Sequence, residues 1–355
     1  MKILVISLAG IGDSLIASPL IEQLRKNFPK SIIDVFVLWK QAEKILEHNP
    51  HIDNIFQFNM LKEGYWKSLL YVLKLRKRRY DISINTHPQS KIQYRMVSRL
   101  INAKKRLSHL YDNKNILDRF LVNKTLEQDY SKSSIDNNLG LLRLIGINAN
   151  KELNYKICLS KEDKEKANKF MKENKLKDKK IIGIHAGSGT TKNMRLKRWP
   201  LDRYKELINK ILKNDKNKKF KILLFGGPEE ENENRSIIEK IKDNRVILVK
   251  TGSVRETAAI IEKCKIFLSV DNLLMHVASA MQVPRQIVIA GPTYDACIAP
   301  KSKPVVISAN LNCQPCYRYS GRGINCTNEE KMKCLKDITS DKVYDTIKKV
   351  LKRRK

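Results

Sequence analysis

Short apolar runs, each the length of one buried strand, alternate along the chain with stretches whose apolar residues recur every three or four positions. Ile3–Ser7, Ile32–Leu38, Ile55–Phe58 and Asp81–Asn85 read as strands, with helices such as Ser68–Arg78 and Ile92–Leu100 between them. Residues 109–136 are polar and irregular and predict no element, and a helix over about Ser134–Ile145 closes this half. Lys161–Lys180 reads as a lysine-rich helical connector. The alternation then resumes, with strands at Ile181–His185, Ile222–Phe225, Ile266–Val270 and Ile287–Ala290 and helices at Leu201–Leu212 and Asn272–Met281. Ser253-Val254-Arg255-Glu256 has the form of a capping box opening a helix to about Lys263, and a last helix spans about Asp341–Arg353. The expected class is α/β. It consists of two Rossmann-like domains, residues 1–160 and 181–340, whose parallel sheets face each other across a ligand cleft, with residues 161–180 as connector and a C-terminal helix over 341–355.

Composition narrows this picture. The chain has 355 residues, 42% of them hydrophobic, enough for two cores. No run of 18 apolar residues suggests a membrane span, and Met1-Lys2 leads straight into a strand without a separate signal region, so a cytoplasmic protein is expected. The net charge is +33, from 70 Lys and Arg against 37 Asp and Glu. Nucleic-acid binding, attraction to an anionic membrane face or acidic lipid substrate, and a general lysine bias of solvated faces all fit that number. The bases are spread along the whole chain, and only Arg76-Lys77-Arg78-Arg79 with Lys104-Lys105-Arg106 forms a local patch. Of seven cysteines, Cys158, Cys264 and Cys297 lie in apolar surroundings, while Cys313, Cys316, Cys326 and Cys334 cluster late. Cys313-x2-Cys316 is a common zinc half-site, so structural zinc and a reduced, loop-borne set are the two readings of that cluster. A disulfide framework is not expected.

The candidate chemistry falls at strand exits, where open α/β sheets bind ligands. Gly10-Ile11-Gly12-Asp13 follows the first strand and delivers one carboxylate there; a cap or first-turn acid is the plainer role for Asp13. Position 15 is Leu, so the dinucleotide fingerprint lacks its third glycine and a nicotinamide enzyme is disfavoured. Pro19 implies that the helix is kinked or begins anew at Ser18-Pro19. In the second half, His185-Ala186-Gly187-Ser188-Gly189 is a strand exit small enough for backbone amides to approach phosphate oxygens, or a plain loop. Lys197 sits just before the helix start Trp199-Pro200, placed to pair with an anion. Glu230, after Gly226-Gly227-Pro228, suits a ribose hydroxyl or a helix dipole equally. Asp271 or Asn272 caps the helix that carries His276, leaving free amides for an anion, or simply a capped helix with a core-facing histidine.

These segments, in this order, resemble glycosyltransferase family 9, the ADP-heptose:lipopolysaccharide heptosyltransferases. The matching pieces are Lys2-Ile3-Leu4-Val5-Ile6, Gly12-Asp13, Pro19, Tyr80-Asp81, Gly187-Ser188-Gly189, Lys197-Arg198-Trp199-Pro200, Gly226-Gly227-Pro228-x-Glu230, Thr251-Gly252, Arg255-Glu256, Asp271, Met275-His276, Ala280, Val283-Pro284, Gly291-Pro292-Thr293, Cys313-Gln314-Pro315-Cys316 and Cys334-Leu335-Lys336-Asp337-Ile338. The resemblance implies a GT-B fold and an inverting, metal-independent transfer of a heptose or related sugar from a nucleotide-diphosphate donor to an acidic lipopolysaccharide core, without a cofactor. It makes Asp13 the general base. Lys197 and the helix beginning near Asn272 stabilise the departing diphosphate, Ser188 touches the phosphates, Glu230 the ribose, and Asp271 and His276 the sugar or diphosphate. Basic residues of the N-terminal half suit the phosphorylated acceptor, with peripheral contact at the cytoplasmic face of the inner membrane. After the aspartate the family usually has Ser or Thr and then Gly; here Asn272 and Leu273 follow. A non-catalytic basic protein binding nucleic acid or an anionic surface is the competing function, but it leaves the placement of Asp13, Lys197 and Asp271 at strand exits unexplained; no nucleic acid partner is expected.

Overall fold

A computed structural model describes residues 1–150, 152–189, 191–293, 302–317 and 323–352. Among these the chain divides into two compact units, the first ending at Cys158 and the second beginning at Leu159. The first holds six parallel strands: β1 (Lys2–Ser7), β2 (Ile32–Val37), β3 (Asn54–Gln57), β4 (Ile82–Asn85), β5 (Lys105–Leu110) and β6 (Lys124–Glu127). The second holds β7 (Lys180–His185), β8 (Phe220–Phe225), β9 (Val246–Leu248), β10 (Ile266–Val270), β11 (Gln286–Ile289) and β12 (Val305–Ile307). Their orders are β3-β2-β1-β4-β5-β6 and β12-β11-β10-β7-β8-β9, the same arrangement in each. That is the doubly wound order of Rossmann sheets, in which the winding reverses between the first and fourth strands.

Central strands are continuous apolar runs because helices cover both faces. Val5 pairs with Val35 on one side and Ile84 on the other, and Ile184 with Leu224 and Leu268. Around them Leu4, Ile6, Phe36, Val72, Tyr80 and Ile101 close one layer of the first unit. Ile184, Leu207, Ile208, Leu268, Ile289 and Ile347 belong to one core cluster of the second.

Four strands departed from the sequence expectation, which had no element at Lys105–Leu110, Lys124–Glu127, Val246–Leu248 or Val305–Ile307. Three of them are sheet edges, where short and polar strands are tolerated. The fourth, β5, carries Lys105, Arg106, Ser108 and His109, and its arginine and histidine find partners that the fold brings to them. Arg106 donates to Leu121 O (3.1 Å) and Ala103 O (2.9 Å), and His109 Nε2 lies 3.0 Å from Asn137 O. The polar stretch after β5 also contains the Leu117–Leu121 helix, anchored by a buried Arg95–Asp118 ion pair of 2.5 Å.

Helix starts follow the local chemistry. Helices Ile11–Ile16 and Ser18–Asn27 meet at Ala17, which caps the second, with Pro19 in its first turn. Ser18, the first residue of the second helix, donates back to Leu15 O (2.7 Å). Ser253 caps Val254–Ile261, but the Glu256 carboxylate accepts from Gly252 N–H (2.9 Å) rather than from the cap itself. The Lys161–Glu173 helix packs against Val254–Ile261 within the second unit, tied by Arg255 to Asp163 (2.9 Å). Ser340–Lys352 packs on Leu201–Asn214 in the same unit. Cys297 and the end expected for the last helix, Arg353, lie outside the described residues.

Candidate active site

In the first unit the site begins at the exit of β1. Gly10 is extended (φ −77°, ψ 168°) and Asp13 is the third residue of the Ile11–Ile16 helix. Asp13 Oδ2 accepts the Gly10 N–H at 2.7 Å. A Cβ on Gly10 would stand 2.9 Å from that oxygen, so glycine lets the carboxylate fold back over its own turn. Asp13 is therefore a first-turn acid aligned with the helix dipole and, at once, a carboxylate at the carboxyl edge of the sheet. Gln89 fixes the turn from the next strand: its Nε2 donates to Ile6 O (2.5 Å) and Thr86 O (2.9 Å), and its Oε1 accepts from Leu8 N–H (3.4 Å). Tyr111 Oη accepts the Gln89 N–H at 2.9 Å and lies 3.3 Å from His87 Nδ1. Burial, joined by the negative charge of Asp13, raises the Tyr94 phenol. Burial drives His87 well below the usual histidine range and His109 to about 4, so both are neutral at pH 7.

In the second unit the exits of β7 and β10, adjacent strands at the point where the winding reverses, carry the polar groups. Lys197 Nζ lies 2.5 Å from Asp271 Oδ2, both side chains buried, and 5.2 Å above the Tyr317 ring. Burial alone would raise Asp271, but the charge and hydrogen bond of Lys197, with help from His276 and Thr293, hold its carboxyl below the usual range. Burial pushes His276 down to about 4, against the pull of Asp271 and with the push of Lys197. Asn272 caps the Leu273–Ala280 helix, accepting from Met275 N–H (3.0 Å), and its Nδ2 donates to Gly187 O (2.9 Å). One side chain thus caps the helix and ties the two strand exits together.

Glu230 lies over the β7 exit. A Cβ on Gly187 would meet its Oε1 at 1.9 Å, so any side chain there would push Glu230 aside. Glu230 Oε2 accepts from Gly227 N–H (2.7 Å) and faces His185 Nε2 (3.4 Å). Burial raises its carboxyl, but His185, the Gly227 amide and the Arg198 charge bring it below the usual range. Arg198 joins this group: it donates to both Glu233 oxygens (2.7 and 2.6 Å), to Ser188 O (2.7 Å) and to Ser188 Oγ (3.3 Å), and lies 3.4 Å from Glu230 Oε1. The Ser188 hydroxyl donates to Met194 O (2.8 Å). Beside Glu230, between the exits of β8 and β9, a cavity of about 210 Å³ is lined by Gly227, Pro228, Leu248, Val249 and Thr251 among others.

The structure thus unites Lys197, Asp271 and His276 in one cluster, links Asn272 to Gly187, and joins Ser188 to Glu230 through Arg198. The sequence reading passed over Arg198, Glu233, Tyr317 and Gln89; Arg198 stood inside a quoted segment, but nothing local distinguished it from its basic neighbours. The late cysteines are free thiols, Cys313 exposed, Cys316 and Cys326 half-buried, Cys334 buried. Burial, then the proximity of the other three, pushes the Cys334 thiol up to about 11. Among the described residues no group of three or more His, Cys, Asp or Glu side chains is arranged to hold a metal ion.

Two Rossmann-like units whose polar groups gather at strand exits form a ligand-binding class of α/β fold. The glycosyltransferase family 9 (heptosyltransferase) model matches residues 71–324, and the chain belongs to that family and is a glycosyltransferase. It is 23% identical over 284 residues to lipopolysaccharide heptosyltransferase 3 of Escherichia coli K12, covering 77% of this chain and 78% of that protein. It is also 23% identical over 359 residues to lipooligosaccharide heptosyltransferase 2 of Campylobacter jejuni, covering 99% of each. A family 9 glycosyltransferase from Veillonella parvula superposes with TM-score 0.78 at 21% identity, covering 99% of this chain and 97% of the other. ADP-heptose LPS heptosyltransferase II of E. coli superposes with TM-score 0.74 at 20% identity, covering 99% and 98%. These likenesses establish the GT-B fold.

Proposed function

We propose that the protein transfers a heptose, or a closely related sugar, from ADP-heptose to an acidic lipopolysaccharide core acceptor with inversion at the anomeric carbon. The observation that carries this reading is the buried Lys197–Asp271 pair at the start of the Asn272-capped helix. It holds a cation beside free helix amides, the arrangement that a departing diphosphate needs.

Asp13 takes the proton from the acceptor hydroxyl as its oxygen bonds to the anomeric carbon. The bond from that carbon to the diphosphate oxygen breaks on the opposite face, and ADP leaves with the electron pair. Lys197 and the amides beyond Asn272 bear the new negative charge without a metal, and Ser188 and its loop contact the phosphates. Glu230 accepts from the ribose, whose base enters the neighbouring cavity of about 210 Å³. Asp271 and His276 orient Lys197 and the sugar. The first unit supplies the base and the acceptor surface. The enzyme works at the cytoplasmic face of the inner membrane, where such an acceptor is displayed; among the described residues no helix is long and apolar enough to cross a membrane.

The test is incubation with ADP-heptose and heptose-deficient lipopolysaccharide, followed by mass spectrometry of the acceptor and assay of free ADP. The expected result is one added heptose per ADP released. Absence of both products with every core acceptor offered contradicts the donor and acceptor assignment. Lys197→Ala should lower the transfer rate by about 10²–10³-fold, as loss of one transition-state charge partner does.

A further inference from the structure

Of the ten large apolar residues that the described structure exposes, eight lie between Leu61 and Phe120. Six of them sit on three helices, Tyr65–Arg76, Ile92–Ile101 and Leu117–Leu121, and Leu61 and Ile116 lie just before the first and third; these helices follow β3, β4 and β5 and touch in that order. Each crossover leads to a parallel strand in the same direction across the sheet. Right-handed connections therefore put all three helices on one face. Helices after parallel strands begin at the carboxyl edge of the sheet, the edge that carries Asp13. Tyr65 and Trp66, 78% and 77% exposed, occupy the first turn of one helix, and Ile116, 88% exposed, caps another. Leu70, Leu117 and Phe120 extend the apolar surface away from that edge.

Its rim is basic. Residues 61–79 hold seven Lys and Arg against one acid, Glu63, and Lys62, Lys67, Lys74, Arg76, Lys91 and Arg119 are exposed on the same three-helix layer. A soluble surface seldom clusters so many exposed apolar side chains without a partner. Tyrosine and tryptophan beside lysine and arginine is the composition that settles at a lipid–water interface and is attracted to anionic headgroups. Cations around the patch oppose self-association across it. We propose that this three-helix face docks on an anionic phospholipid bilayer, with Tyr65, Trp66 and Leu70 entering the headgroup region and the lysines on lipid phosphates. This deepens the transferase reading and rests on it only for its purpose: a docked first unit holds the Asp13 turn near the plane where a lipid-anchored acceptor lies.

The test is co-sedimentation of the full chain with vesicles of phosphatidylcholine plus phosphatidylglycerol, and of phosphatidylcholine alone, without donor or acceptor. Binding is expected on the anionic vesicles only, weakened by salt. It should fall ~10-fold or more in W66S/L70S and in K62E/K67E/K74E, with melting temperatures kept. Transfer to detergent-dispersed acceptor should be unchanged in W66S/L70S, which leaves every basic residue in place. Failure of the wild-type protein to bind anionic vesicles, or undiminished binding by either folded variant, overturns the proposal. So does a concentration-dependent dimer abolished by W66S/L70S, which would assign the face to a second copy. Because vesicle binding is read without catalysis, a failed transfer assay leaves this result independent.

Discussion

Lys197 and Asp271 are both buried and 2.5 Å apart, so each depends on the other for its charge. Removing one member of such a pair leaves an uncompensated buried ion and typically costs ~3–5 kcal/mol, whereas replacing both by apolar residues is often neutral. Asp271→Ala should therefore destabilise strongly in urea titrations, and Lys197→Met/Asp271→Leu should recover most of that loss. The double variant should still fail to bind ADP, which separates the pair's structural role from its proposed work. The buried histidines set the pH dependence. His109 and His276 have folded values of about 4, depressed by burial, so the unfolded chain binds protons that the folded one refuses. Their contribution is complete above ~6.5 and is lost as the pH falls toward 4, each costing ~2 kcal/mol by pH 5. Asp271 and Glu230, held low by cations and hydrogen bonds, lose theirs only as the pH falls below the ordinary carboxylate range. Melting curves should thus fall between pH 7 and 5, and less steeply in His276→Gln. At this scale Asp13, Lys197 and Asp271 were legible because strand exits and helix starts mark them. Arg198 was not, since its meaning lies in Glu233 and Ser188, 35 and 10 residues away, and one arginine among 70 basic residues carries no local sign.

Asn272 shows what one residue does for two elements. Its Oδ1 caps the Leu273–Ala280 helix and its Nδ2 holds the Gly187 carbonyl. Asn272→Ala should lose the cap, ~0.5–2 kcal/mol, and Asn272→Ser should keep it. Both lose the bond to Gly187, so calorimetry should find weaker ADP binding in both variants but a lowered melting temperature mainly in the first. Gly187→Ala forces Glu230 away from the β7 exit and should weaken ADP binding with a stability loss of ~1–3 kcal/mol. Central strands were legible from their unbroken apolar runs. The edges β9 and β12 were not, because three residues are too few to show a period, and β6 was not because Lys124 and Glu127 break its apolar run, unlike the equally short edge β3 with Ile55 and Phe56. β5 was hidden by arginine and histidine side chains whose partners, Leu121 and Asn137, are brought in by the fold.

The molecule repeats one sheet order twice and uses the two reversal points differently. The first presents a carboxylate held by Gly10; the second presents a lysine, a capped helix and a cavity. That division was legible in the sequence, because Gly10 to Asp13 lacks the third glycine of a nucleotide fingerprint while the small and cationic residues fall near Ser188 and Lys197. The proposed docking face was not, because nothing local in the sequence separates an aromatic such as Trp66 or Phe120 from a buried one, and their exposure is set by how the neighbouring helices pack. With a net charge of +33, the protein should attract a phosphorylated acceptor over distance. KM for that acceptor should rise with salt across 0.05–0.5 M while kcat changes little, a range over which the screening length falls from ~14 to ~4 Å.

The most direct test of this division of labour is Asp13→Asn, measured in parallel for sugar transfer and for ADP binding. Asparagine Oδ1 can still accept the Gly10 N–H, so the turn, the melting temperature and the ADP affinity should stay as in the wild type. Transfer should fall by ~10²–10⁴-fold, the usual worth of a general base. An undiminished transfer rate, or a loss of ADP binding that matches the loss of rate, would contradict the assignment of Asp13 as the base.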